Sequence, residues 1–175
     1  MEVLKTRRSV RKYDQSKPID YETLIELCRC GEYAPAARNQ KGREYVIVDD
    51  KEVINKLSNV SKGAKVLEGA VAAIVVVARN KETLVTPDML EQDLACSVEN
   101  ILIAATYMGI GSCYIGIHPH PDRVGPCDEI LNVKDGKHTF AIISLGFPSE
   151  DNAFYVREKL TDDMIYHNGY WLCLN

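Results

Sequence analysis

The sequence predicts an α+β fold, because it contains continuous apolar runs typical of buried strands together with amphipathic segments typical of helices. Residues 71–78 are wholly apolar and rich in β-branched side chains, which is typical of a fully buried strand. Residues 86–109 carry apolar side chains at helical spacing, and Pro87 stands at the start of this pattern. Residues 112–117 and 138–146 have the composition of two more buried strands.

The shorter elements follow from capping residues and apolar spacing. Asp20 precedes an amphipathic segment that ends near Gly31, and Asp50 precedes apolar positions with helical spacing. Residues 1–6 and 122–131 are predicted as two further helices, and residues 44–49 as the first strand. No repeat, low-complexity tract or Pro/Gly-rich linker interrupts the 175 residues. We therefore expect a single domain over residues 1–175.

The composition argues against membrane and nucleic-acid proteins. The longest apolar run, residues 70–78, is too short to span a bilayer, and the N-terminus lacks the apolar stretch of a secretory signal. A net charge of −4 is unfavourable for binding phosphate backbones. We expect a cytoplasmic protein with no membrane and no nucleic-acid partner.

The six cysteines are expected to be free, mostly buried thiols. Only Cys28 and Cys30 are close in sequence, and one intervening residue without a second pair is poor spacing for a metal site. No metal is predicted.

A basic patch opens this acidic chain. Arg7-Arg8-Ser9-Val10-Arg11 combines three guanidinium groups with a hydroxyl, directly after the predicted first helix. Guanidinium groups bind phosphate oxygens through paired hydrogen bonds, so a phosphate site is one hypothesis. The alternative is a run of charges that simply faces water.

Two other segments indicate a binding site for a flat ligand. Residues 34–40 are mostly small, which lets backbone approach a ring, and Asn39 and Gln40 offer amide groups to its polar rim. Residues 107–116 contain several glycines, but Tyr114 stands where a dinucleotide fingerprint needs glycine, and the segment follows a helix. A Rossmann site is therefore disfavoured.

The C-terminal thirty residues are aromatic without a strong helical period. An aromatic tail without its own core is expected to pack on something else, and a second subunit is one candidate. The aromatic and apolar residues concerned are Phe154, Tyr155, Tyr166, Tyr170, Trp171 and Leu172.

Taken in order, these segments resemble the nitroreductase family of FMN enzymes. Residues 7–11 resemble its Arg-Arg-Ser-x-Arg signature, and residues 34–40 its Ala-Pro-Ser-Ala-x-Asn loop. Residues 93–116 resemble the family's long dimer helix and the turn onto the flavin, and Gly146-Phe-Pro148 fits its closing strand. The chain departs from the family at Ala36, where Ser is usual, and at Lys41-Gly42-Arg43, where Gln-Pro-Trp is usual.

The resemblance implies a nitroreductase-like fold with a mainly antiparallel sheet flanked by helices. It also implies an intertwined homodimer with two FMN sites at the subunit interface. The residues implied in cofactor binding are Arg7, Arg8, Ser9, Arg11, Pro35, Ala36, Asn39, Lys41, Ile115, Gly116 and Arg157.

By the family pattern, Arg7, Arg8 and Ser9 hold phosphate and ribityl oxygens, while Arg11 reaches the ring near N1 and O2. Arg157 is a candidate for a second phosphate clamp, with a plain surface salt bridge as the alternative.

Asn39 and Lys41 are expected to touch the ring from the partner subunit, and Ile115 and Gly116 to present backbone to the N5 side. The resemblance assigns no catalytic side chain, because flavin N5 does the chemistry; Tyr114 is a weak candidate for proton supply.

The leading functional hypothesis is a ping-pong oxidoreductase that passes a hydride from NAD(P)H through FMN to a small acceptor such as a nitroaromatic, quinone, flavin or enone. A second hypothesis is a protein that stores FMN or senses redox state without turnover. A third is a thiol or metal protein built on Cys28 and Cys30. The sequence selects neither NADH nor NADPH and names no physiological acceptor.

Overall fold

The structure, a computed structural model, describes residues 1–157 and 165–170. Its helices are α1 (Glu2–Thr6), α2 (Tyr21–Glu32), α3 (Lys51–Leu57), α4 (Leu90–Tyr107) and α5 (Pro121–Leu131), and its strands are β1 (Arg43–Val48), β2 (Ala72–Ala78), β3 (Gly111–Gly116) and β4 (His138–Gly146). The four strands form one sheet in the order β1-β2-β4-β3, and every neighbouring pair is antiparallel. The α+β class is confirmed.

The sheet is covered on both faces, which explains the apolar runs of its central strands. All of β2 is buried, as is β4 beyond its first residue. Since alternate side chains of a strand point to opposite faces, Ile74 and Val76 join the core beneath α2 and α4, whereas Val75 and Val77 join the core beneath α3 and α5. A strand that is buried on both faces exposes no side chains to solvent, so it is apolar throughout.

Helix α4 lies at the centre of the first of these cores. It is preceded by a 3-10 turn, Pro87–Met89, so the regular helix begins later than residue 86. Leu94, Val98 and Ile101 are buried on one side of it, whereas Cys96 and Tyr107 are exposed on the other. The predicted apolar helix is confirmed, with one face open in this chain.

The predicted caps are present. Asp20 accepts a hydrogen bond from the Thr23 amide at 2.8 Å, and Asp50 accepts from the Glu52 and Val53 amides at 2.8 and 3.0 Å. The 3-10 segment Lys62–Gly69, which buries Ala64 and Leu67, was not predicted.

The N-terminal segment is attached to the edge of the sheet. The Val10 amide donates to the Ser112 carbonyl on β3 at 2.9 Å, and the Asp14 amide donates to the Phe147 carbonyl at 2.8 Å. Gly111 permits this approach, because a Cβ there would stand 2.7 Å from the Val10 side chain. The segment that carries the arginines is thereby fixed beside β3. Among the residues described, no helix is long and apolar enough to cross a membrane.

Candidate functional site

A cavity of about 540 Å³ lies between the N-terminal arginine segment and the chain that follows β4. Its lining carries five cationic side chains and only two carboxylates, so its net charge is positive. The lining residues are Arg7, Arg8, Ser9, Val10, Arg11, Lys12, Glu150, Asp151, Asn152, Ala153, Tyr155 and Arg157. The cavity thus brings Arg7, Arg8, Ser9 and Arg11 together with Arg157, from opposite ends of the chain.

Arg8 is the most constrained of these cations. Its terminal nitrogens donate to the backbone carbonyls of Arg7 and, at 2.6 Å, Lys5. The guanidinium carbon lies 4.8 Å from the centre of the Tyr155 ring. The Nε atom is buried and has no hydrogen-bond partner among the described residues. An unpaired buried donor on a cation is costly, and an anion in the cavity would satisfy it.

The other arginines of the segment differ in how far they are already paired. Arg7 forms an ion pair with Glu99 of α4 at 3.0 Å, and its side chain is 29% exposed. Arg11 is exposed and makes a long hydrogen bond of 3.3 Å to the Ser9 carbonyl. Arg11 therefore retains most of its donors for a ligand.

The wall formed by the chain after β4 is attached to the arginine segment at two further points. The Ser149 amide donates to the Lys12 carbonyl at 3.2 Å, and the Lys12 ammonium pairs with the Glu150 carboxylate at 2.5 Å. The hydrogen bond to Glu150 raises the pKa of Lys12. The pair lies in water, so its contribution to stability is small.

Strand β3 borders the arginine segment and forms an edge of the sheet. Ser112 is buried, and its Oγ has no hydrogen-bond partner among the described residues. Tyr114 is 41% exposed, and partial burial raises the pKa of its phenol. Ile115 is buried in the core beneath α3 and α5, so only its backbone can meet a ligand, whereas Gly116 is half-buried.

The loop that follows α2 lies outside the cavity of its own chain. Arg38 and Asn39 have positive φ angles of 49° and 54°, and both are exposed, as are Pro35 and Lys41. Ala36 is half-buried. Positive φ is uncommon for residues other than glycine, so surrounding contacts must hold this turn.

The contacts that hold the loop come from Asp93 and Gln40, which are both buried. The Asp93 carboxylate accepts from the Ala37 amide at 2.9 Å and from the Gln40 side chain at 2.8 Å. Gln40 also exchanges two 3.0 Å hydrogen bonds with the Thr86 backbone. The prediction that Gln40 offers its amide to a ligand is wrong, because these neighbours occupy the amide.

Arg43, in the segment that departs from the family pattern, has a structural role. Its side chain is 6% exposed, pairs with Glu32 at 3.2 Å and donates to the Ala34 carbonyl at 2.7 Å. It therefore satisfies carbonyls near the C-terminus of α2, where helix carbonyls lack partners within the helix.

A second titratable cluster lies near the start of β4. The His118 and His138 rings are 4.7 Å apart, and His118 Nε2 is 3.5 Å from the Glu91 carboxylate. Burial, reinforced by the His118 charge, lowers the pKa of His138, whose Nε2 has no partner among the described residues.

The five described cysteines are free thiols, but only Cys113 and Cys127 among them are buried, so the prediction of mostly buried thiols is wrong. Burial raises the pKa of Cys28 to about 11 and that of Cys127 to about 12. The described residues contain no group of three or more side chains suited to hold a metal ion.

Comparison with known proteins identifies the family. The family model for nitroreductases matches residues 4–81 and 61–147, which together cover most of the chain. The chain belongs to the nitroreductase family. The resemblance in the opening arginines, the small-residue loop and the long helix is therefore confirmed as membership.

Relatives of this nitroreductase family member extend over nearly its whole length. A protein of Archaeoglobus fulgidus, provisionally named as an NADH dehydrogenase/NAD(P)H nitroreductase, is 32% identical over 98% of both chains. A solved structure from Clostridium acetobutylicum, provisionally named as an NADH oxidase, is 34% identical, with a TM-score of 0.90 over 96% of this chain and 99% of the other. An FMN-dependent nitroreductase of Clostridium difficile is 27% identical, with a TM-score of 0.87 over 97% and 99%. These likenesses confirm the nitroreductase-like fold and support an oxidoreductase.

In the described part of this nitroreductase family member, the residues predicted to contact the cofactor do not all lie in one place. The predicted residues that do not line the cavity are Pro35, Ala36, Asn39, Lys41, Ile115 and Gly116, and Trp171 and Leu172 lie outside the described residues. Sequence reasoning missed the contact of Tyr155 with Arg8, because the two residues are far apart in the chain. It also missed Glu99 as the partner of Arg7.

Proposed function

We propose that this protein is an FMN-dependent NAD(P)H oxidoreductase that reduces a small organic acceptor, such as a nitroaromatic, quinone, flavin or enone. The observation that carries the proposal is the positive cavity, in which the buried Nε of Arg8 has no partner among the described residues. Family membership supports the same conclusion.

The cavity fits FMN in volume and in charge. Its volume, about 540 Å³, lies within the range of about 300–1,000 Å³ that is usual for small-molecule sites. Five cations against two carboxylates favour a doubly charged phosphate. The half-exposed Tyr114 and half-buried Gly116 lie on an edge strand beside the arginine segment, where a flat ring could lie against backbone.

The arginine segment would hold the phosphate end and orient the ring. Arg7, Arg8 and Ser9 would bind phosphate and ribityl oxygens, with Arg157 as a second clamp. Arg11, whose donors are largely free, would lie near N1 and O2 of the ring. A fixed cation there needs no reorganisation as negative charge develops. When bound, FMN supplies two-electron transfer between a reduced nicotinamide and the acceptor, in a ping-pong order.

Strand β3 would provide the reactive side of the site. Ile115 and Gly116 would present backbone toward N5. Tyr114 is a candidate proton donor because its phenol is exposed, although partial burial raises its pKa and so makes it a weaker acid. No charged side chain of β3 competes with these groups.

The functional unit would be a homodimer with FMN at the subunit interface. Asn39 and Lys41 do not line the cavity of their own chain, so a partner subunit would supply them. The exposed face of α4, with Cys96, Glu99 and Tyr107, is available for that contact. Light scattering should give a dimer, and a monomer that binds FMN tightly would contradict the shared site.

The decisive test is anaerobic reduction of the purified protein. We expect a yellow protein that releases FMN, bleaches with NADH or NADPH and recovers its colour with a quinone or nitroaromatic. If dithionite bleaches the flavin but neither nicotinamide does, the protein is an FMN store or redox sensor. A colourless protein that ignores added FMN would overturn the cofactor assignment itself.

A further inference from the structure

The Tyr155 ring is the only aromatic group that lines the arginine cavity, within the part of the chain that the structure describes. It stacks against the Arg8 guanidinium, 4.8 Å from ring centre to guanidinium carbon. Tyr155 belongs to the chain after β4, far from Arg8 in sequence, so tertiary structure alone brings them together. An attractive contact of this kind joins a cation to the negative face of a ring.

The stacking restricts Arg8 in a useful way. An arginine side chain has several rotatable bonds and loses considerable entropy when it is fixed. The backbone carbonyls of Arg7 and Lys5 hold the two terminal nitrogens, and the ring covers one face of the guanidinium. Each terminal nitrogen keeps one further N–H, whereas Nε is buried and has no partner among the described residues.

We infer that Tyr155 is a positioning residue for the anion site: its ring fixes the Arg8 guanidinium so that Nε is held ready for an anionic oxygen. The inference rests on the proposed function, because FMN is the anion expected there. It goes beyond that function in naming a residue that acts through Arg8 and need not touch the ligand.

The positioning role of Tyr155 can be distinguished from a role in attaching the segment after β4 to the rest of the chain. The Lys12–Glu150 ion pair and the bond from the Ser149 amide to the Lys12 carbonyl attach the same segment without Tyr155. Tyr155 is 57% exposed, so its removal leaves no large cavity in the core. We therefore expect variants at Tyr155 to fold.

The experiment is a double-mutant cycle read out as the Kd for FMN. Tyr155→Leu removes the ring, Tyr155→Phe keeps it, and Arg8→Ala removes the cation. Tyr155→Leu should weaken FMN binding about two- to five-fold, the range for an exposed cation–π contact. Tyr155→Phe should bind like the wild type, and Tyr155→Leu should have no further effect in the Arg8→Ala background.

A matched control is available in Tyr21→Leu, since Tyr21 is 59% exposed and does not line the cavity. It should leave the Kd unchanged. The inference is overturned if Tyr155→Leu binds like the wild type, or if it weakens binding equally with and without Arg8. It is also overturned if Tyr155→Phe is as weak as Tyr155→Leu, because the hydroxyl would then be responsible.

The failure of the proposed function gives a different result. If the wild type binds no FMN, the same variants can be titrated with inorganic phosphate. Loss of phosphate binding in Tyr155→Leu that depends on Arg8 would support the positioning role without the flavin. Equal phosphate binding by all variants would overturn it.

Discussion

The arginine segment that lines the cavity and the loop of residues 34–40 were both predicted as ligand contacts, yet they differ in how their polar groups are used. In the cavity, Arg8 Nε is buried without a partner among the described residues. In the loop, Asp93, Gln40 and Thr86 bond to one another and to the Ala37 backbone.

The difference indicates two kinds of site. A region with an unpaired buried donor gains stability when a ligand supplies the missing partner. A region whose internal hydrogen bonds are complete instead holds a fixed shape, here two consecutive residues with positive φ, Arg38 and Asn39. The cavity is therefore suited to bind charge, and the loop to present side chains rigidly.

The loop should be broken most strongly by Asp93→Ala. This change leaves the Ala37 amide and one Gln40 donor without their acceptor, which should lower the free energy of unfolding by about 3 kcal/mol in total. Urea denaturation measures the loss. Asp88→Ala, at an exposed position nearby, should change stability by less than about 0.5 kcal/mol. Equal stability of the two variants would mean that the loop does not depend on this network.

The cavity should respond in binding rather than in stability. Arg8→Ala removes a charge-assisted hydrogen bond of about 1.5–3 kcal/mol, so the Kd for FMN should rise roughly ten- to a hundred-fold. Fluorescence titration measures this, and added salt should weaken the wild type as well. Arg29→Ala, at an exposed arginine that pairs with Glu26 and does not line the cavity, should bind FMN normally. Unchanged affinity in Arg8→Ala would mean that the basic patch only faces water.

Arg11→Ala should separate binding from redox tuning within the cavity. A cation beside the ring favours the electron-rich reduced cofactor, so the variant should retain much of its FMN but reduce at a lower potential. If one hydrogen bond of about 1.4 kcal/mol is lost from the reduced state, the two-electron potential falls by about 30 mV. Spectroelectrochemical titration of Arg11→Ala, with Arg29→Ala as the control, measures this change. Equal reduction potentials of the two variants would mean that Arg11 does not lie beside the ring.

The smallest expected effect lies outside both regions, at His138. Burial and the His118 charge hold its pKa below the usual 6.5, with Lys81 acting in the same sense and Asp128 and Glu91 opposing. Below about pH 6.5 the unfolded chain therefore binds a proton at His138 more readily than the folded chain does. The free energy of unfolding consequently decreases as the pH is lowered. His138→Gln should lose less stability than the wild type between pH 7.5 and pH 5. A slope in His138→Gln equal to that of the wild type would contradict the assignment.

Local patterns were sufficient to predict most of the elements. Asp20 and Asp50 cap their helices, and the apolar run that became β2 is buried as expected. The burial pattern of a strand and the capping of a helix depend on residues that are close in sequence, so a single sequence is sufficient to predict them. The expectation of a single domain over the whole chain stays a prediction.

The contacts between distant segments could not be predicted in the same way. Nothing in the neighbourhood of Arg8 indicates Tyr155, and nothing near Arg7 indicates Glu99. The Gln40 amide is of a type that often contacts ligands, but it is buried beside Asp93 and donates a hydrogen bond to that carboxylate instead. Such roles depend on which segments meet, which local pattern does not encode.

The raised thiol pKa values have a chemical consequence for a protein that handles reducing equivalents. With a pKa of about 11 for Cys28, only about one molecule in ten thousand carries the thiolate at pH 7, and the thiolate is the form that attacks peroxide. Cys127, at about 12, is less reactive still. If the proposed cofactor generates peroxide, Cys28 and Cys127 should react with it slowly.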